Sequence, residues 1–92
     1  MPRRDFRLVE ARGERFMFFL DGESEELHIT RRHGTTDADA VSTFFEAGTT
    51  SWNEERLRWE SLSETHLHYW TRCSFDGSVL VITCLRREDV DG

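Results

Sequence analysis

Ninety-two residues with no lysine and no glutamine, 12 arginines and 18 acids (formal net charge −6) leave room for a single domain spanning residues 1–92. They exclude every chemistry that needs a side-chain amine, whether a Schiff base, a lysine general base or a Walker-type phosphate contact. Charge is uneven: residues 1–33 sum to zero, 34–66 to −5 and 67–92 to −1, so the acidic middle repels phosphate and disfavours nucleic acid.

Alternation in residues 5–11 predicts a strand, Arg12-Gly13 a turn, and residues 14–20 the most apolar strand of the chain. A two-residue turn sets Glu10 opposite Arg15 and Phe6 opposite Phe19. The second strand is apolar on both sides, with Phe16 and Phe18 on one and Met17 and Phe19 on the other. That pattern marks a central strand with a helix on one side. The other side is left for the second half of the sheet or another subunit. Asp21-Gly22 signals a hairpin, and residues 25–31 are expected to return as a third strand with Leu27 and Ile29 on one face.

Residues 36–47 read as a helix, with Thr36 as cap, Asp39 at the acidic capping-box position, and Val41, Phe44 and Phe45 on one apolar face. Gly48 is expected to end it, with a loop through Thr49-Thr50-Ser51. For residues 52–62 two readings compete. Ser51 and Glu54 can cap a second helix, but alternation in 56–62 favours a strand. Residues 66–74 and 78–86 form a hairpin around Asp76-Gly77, and the tail from Arg86 looks frayed. The expected fold is α+β: a mostly antiparallel sheet of about six strands, in chain order βββαβββ, with one helix packed on a face.

The last hairpin carries the candidate chemistry. With a two-residue turn, Leu67, Tyr69, Thr71, Cys73 and Phe75 share a face with Leu80, Ile82 and Cys84, and that face is expected to be core. The opposite face carries His66, His68, Trp70 and Arg72, with Val79, Val81 and Leu85. It reads either as a contact surface or as a second buried layer under the helix, with His and Arg at its rim. His66-x-His68 has a spacing that metal sites use, but no third or fourth ligand is fixed, so no metal and no cofactor are assigned. Cys73 and Cys84 fall on different rungs and read as buried inert thiols. Arg31-Arg32-His33 is a short basic cluster before the helix. Its role is local pairing with acids or an anion-binding corner, where Asp37 and Asp39 compete for the same positive helix end.

No apolar run reaches bilayer-spanning length, the N-terminus lacks a signal-peptide stretch, and two cysteines make no disulfide scaffold. A cytoplasmic protein with no membrane partner is expected. The function expected is a small acidic non-catalytic protein-interaction or binding module. One version self-associates through the apolar sheet; another inhibits a basic enzyme. The alternative is a small enzyme or ligand-binding domain using His66, His68 or Cys73 beside a tryptophan. The lysine-free, acid-rich composition fits salt adaptation or GC-rich coding. Under the first, molar salt raises the melting midpoint by screening acidic repulsion, and a flat or falling midpoint from low to molar NaCl rules it out.

Overall fold

The computed structural model describes residues 6–21 and 26–91. Gly22 of the expected Asp21-Gly22 turn, and the ends of the expected strands at Asp5 and Glu25, lie outside the described residues.

Strands β1 (Phe6–Ala11) and β2 (Glu14–Asp21) form the first hairpin. Arg12 (φ 49°) and Gly13 (φ 82°) both turn left-handed, the geometry that matches strand twist. The register is the expected one, with Glu10 opposite Arg15 and Phe6 opposite Phe19. The third strand is a correction. β3 is only Glu26–Leu27, and residues from His28 wind into α1 (His28–His33). The apolar spacing of Leu27 and Ile29 fits a strand, and both are buried here as well. The helix is decided at its other end. Gly34 (φ 71°) donates to the Thr30 carbonyl, and Arg31, Arg32 and His33 occupy the last turn, where the exposed carbonyls favour cations.

Helix α2 (Asp37–Glu46) starts on the expected capping box: Thr36 Oγ1 accepts from the Asp39 N–H (3.2 Å) and Asp39 Oδ2 accepts from the Thr36 N–H (2.9 Å). It ends when Ala47 turns extended and Gly48 donates to the Leu62 carbonyl at 3.0 Å. The sheet's first bond, and no left-handed glycine, stops it. Residues expected as a loop then form β4 (Thr49–Asn53), which pairs with β5 (Arg58–Leu62) and sets Trp52 opposite Trp59. β6 (His66–Arg72) and β7 (Val79–Arg86) complete the sheet, and the expected frayed tail is a short helix, α3 (Arg87–Asp91). The described fold is thus α+β with seven strands and three short helices.

The strand order is β1-β2-β7-β6-β5-β4, with β3 beside the end of β2. Only β2–β7 is parallel. The chain leaves β2, crosses the sheet through α1 and α2, enters the far edge as β4 and meanders back to lie against β2. This crossover puts both helices on one side. Phe16, Phe18, Trp70, Val79, Val81 and Cys84 form the floor of the core, and Ile29 and Ala40 close it from α1 and α2. Burying two phenylalanines to 1% exposure or less contributes about 2–3 kcal/mol each.

The face expected to be core is the other one, and this is the second correction. Leu67, Tyr69, Thr71, Leu80 and Ile82 are only half-buried, and Phe75 is 97% exposed. The helices decide it, because α1 and α2 pack on the other face, and two features of the last hairpin change only which residues stand opposite each other. Arg72 pairs with Val79, so the connection holds six residues, closed by Cys73 N–H to the Ser78 carbonyl (2.8 Å) and Gly77 N–H to the Cys73 carbonyl (2.9 Å). A shift of two keeps each residue on its expected side. An irregularity at Tyr69/Trp70 then slips the ladder by one, so Cys84 rather than Leu85 faces His68 and becomes buried.

Candidate functional site

Strand alternation brings His66, His68, Trp70 and Arg72 to one side of β6, as expected, and α2 lies over that side. Their environments differ. Trp70 is 6% exposed. Its indole donates to Ser61 Oγ (2.8 Å), and its ring lies between Phe44 (4.8 Å) and Trp59 (5.8 Å, stacked). His68 is wholly buried and neither ring nitrogen has a hydrogen-bond partner. Burial pushes its pKa down to about 3, so the ring is neutral at physiological pH. Cys84, opposite, is buried too. Burial and then the Asp39 charge push its thiol up to about 12. A neutral imidazole beside an un-ionised thiol, both out of water, supplies neither nucleophile nor general acid at neutral pH.

His66 sits at the mouth of an open groove of about 640 Å³ between α2 and the β5–β6 turn. Its Nδ1 pairs with Thr65 Oγ1 (2.8 Å), and its Nε2 lies 3.8 Å from Asp39 Oδ1 with no hydrogen bond. Arg87 and Glu46 also line this groove, so it offers both signs of charge and no cradle for one ion. Cys73 stands half-buried in the β6–β7 connection. Among the described residues, no group of three or more His, Cys, Asp or Glu is arranged to hold a metal ion.

Arg72 reaches across β7 to grip Glu14 with both nitrogens (2.9 and 3.1 Å), and its guanidinium lies 5.5 Å from the Trp70 ring. That bidentate bond holds the Glu14 carboxyl below its usual range and raises the Arg72 pKa. Arg31 and Arg32 stand on the last turn of α1, the negative end of that helix. Arg31 Nε lies 3.6 Å from Asp21. The positive end of α2 is filled by its own Asp37 and Asp39, and Asp37 also takes Arg7 at 3.1 Å.

The residues that sequence reasoning did not bring together lie on the opposite side of the sheet. Register and alternation align Leu8, Met17, Leu80 and Thr71 in one row, and Leu85, Leu67 and Leu62 in another. Phe6 and Phe19 pair beside them at 40% and 44% exposure. No described helix packs on these rows. The signal was the doubly apolar β2. What it could not say was which side the helices would take. At the margins of this face Arg15 pairs with Glu10 (3.1 Å) and Arg58 with Glu60 (3.0 Å), while the Arg58 guanidinium stacks 3.7 Å over Tyr69.

Over the described residues, fold and site define a two-layer α+β protein whose sheet is closed by α1 and α2 on one side and carries no described helix over the apolar rows of the other. Compared with protein-family models, curated proteins and solved structures, the chain matches none. No helix among the described residues is long and apolar enough to cross a membrane.

Proposed function

We propose that this chain is a small, acidic, non-catalytic interaction module that pairs with a second copy of itself through the bare sheet face. The observation that carries this reading is the run of apolar rows from Phe6 and Leu8 through Met17 and Leu80 to Leu67 and Leu62, with no described helix over it. Contiguous apolar surface of this kind marks a docking site.

Size and charge favour an identical partner. Six strands about 4.8 Å apart, five to eight residues long at about 3.3 Å per residue, give a footprint of roughly 600 Å². Side-chain relief brings the accessible area toward the ~800 Å² per partner of a standard interface. Two ion pairs on this side, Glu10–Arg15 and Arg58–Glu60, are each neutral. Two such faces can meet about a two-fold axis, sheet on sheet, without breaking either pair. Outside these pairs the chain carries its full −6, so salt strengthens pairing by screening the remainder.

Light scattering on the eluted protein tests this. At micromolar concentration the expected mass is twice that of the chain, and Leu80→Glu, at the centre of the rows, is expected to give a folded monomer. A monomeric wild type at that concentration sinks the reading.

A further inference from the structure

We propose that His68 is an acid-operated latch: while its ring is neutral α2 stays seated on the sheet, and uptake of a proton by that ring releases the helix. This goes beyond the interaction reading and concerns the opposite face of the sheet.

The geometry is specific. Helix α2 places Asp39 beside His66 and Phe44 against Trp70, so its middle turn, with the buried Ala40 and Thr43, passes over His68. The ring is wholly enclosed and has no partner at Nδ1 or Nε2. Buried polar atoms are almost always bonded. A core position with two unbonded nitrogens is therefore held below its best stability even when neutral, and a charged ring there would have two unbonded donors.

No partner lies within hydrogen-bond distance of either ring nitrogen, and the nearby hydroxyls are already engaged elsewhere. Ser61 Oγ is taken by the Trp70 indole and Thr50 Oγ1, and Thr43 Oγ1 donates to the Asp39 carbonyl. On β7, Cys84 is an un-ionised thiol. From α2, the Asp39 carboxylate spends Oδ2 on the Thr36 N–H and turns Oδ1 to His66, and Glu46 lines the groove outside. On β5, Arg58 and Glu60 are paired on the other side of the sheet. From α1, His33 lies near Arg32 and Asp89, its own pKa lowered by burial.

The direction follows from linkage. Folding lowers the His68 pKa from 6.5 to about 3, so the closed state is fully stable above 6.5 and loses stability as pH falls from 6.5 toward 3. Between pH 7 and 4.5 the open population should rise about 75-fold. Opening uncovers Phe16, Phe44 and Trp70.

Amide exchange resolved by residue, corrected for the intrinsic pH dependence of exchange, tests this on the intact chain. Protection across 37–46 is expected to drop about 75-fold from pH 7 to 4.5 while the β1–β2 amides keep theirs. His68→Leu should abolish the drop, and His66→Gln should leave it. If His68→Leu does not fold, His68→Gln is read in the same way. Loss of α2 and sheet protection together overturns the latch, because His68 then only lowers global stability. Persistence of the drop in the His68 variant overturns it too.

Discussion

The two faces of the sheet are built from the same strands by alternate residues, yet they end in opposite states. The covered face joins six aromatic rings in edge and stacked contacts, running Phe45, Phe16, Phe44, Trp70, Trp59 and Trp52. It also encloses polar groups, namely Ser61, Thr43, Thr35 and the unbonded His68. The bare face is simpler, with Leu, Met and Phe rows and two ion pairs at its margins. The apolar rows of the bare face are nonetheless built of residues that favour burial. Connectivity decides otherwise: the chain crosses only once between β2 and β4, and both helices are spent on one side. An apolar strand face is therefore a statement about the need for cover, and another molecule can meet that need.

Truncating one aromatic on each face should break the comparison most sharply. Phe16→Ala removes a ring at 0% exposure, 5.1 Å from Phe44 and 6.0 Å from Phe45, and is expected to cost about 4 kcal/mol. Phe19→Ala, on β2 but 44% exposed, should cost under about 1 kcal/mol in a monomer. Urea unfolding in the Leu80→Glu background, where pairing is removed, measures both. Equal losses there would mean that this chain alone already buries both sides.

Thiol chemistry sharpens the same contrast without mutation. The shift from 9.0 to about 12 leaves Cys84 with a thiolate fraction about a thousandfold below that of an unperturbed thiol at pH 8. Cys73 is half-buried in a hairpin connection. A disulfide reagent should therefore titrate one thiol quickly in the native protein and both in denaturant. Rapid modification of both in the native state would show that the covered face opens readily.

Removing the α2 cap weakens only the covered side. Thr36→Ala deletes the hydroxyl that accepts the Asp39 N–H and is expected to cost about 1 kcal/mol by chemical denaturation. It should leave the mass of the assembly unchanged. A variant that also changes oligomeric state would show that the two faces are coupled.

How far the sequence carried the fold follows the range of each interaction. The β1–β2 register and the start of α2 are local: Arg12-Gly13 sets one and Thr36 with Asp39 sets the other. That His66, His68, Trp70 and Arg72 share a side is also local, since alternation dictates it. Their burial is not, because it depends on where α2 lands after the crossover and on the parallel pairing of β2 with β7. Two misreadings had short-range causes. Leu27 and Ile29 alternate like a strand while Gly34 and three basic residues end a helix, and the helix wins. Thr49-Thr50-Ser51 looks like a loop until Trp52 meets Trp59 and Thr50 Oγ1 meets Ser61 Oγ at 3.0 Å.

Smallest in effect, and independent of either face, is the turn between β4 and β5. Leu57 adopts φ 54° there and is 63% exposed. A leucine in the left-handed region carries about 1–2 kcal/mol of steric strain. Leu57→Gly removes that strain and gives back part of the gain as unfolded-state entropy. The net expectation is about 0.5–1 kcal/mol of added stability, a midpoint rise of roughly 2–5 °C for a domain of this size. Arg12, the other left-handed non-glycine, is no fair equivalent, because its guanidinium stacks 4.9 Å from the Phe45 ring. The Leu57 gain should add to the Phe19→Ala change without interaction, since the turn and that ring share no partner. A fall in midpoint would mean that Leu57 makes an apolar contact whose loss outweighs the strain. That would assign the β4–β5 turn to an interface of its own.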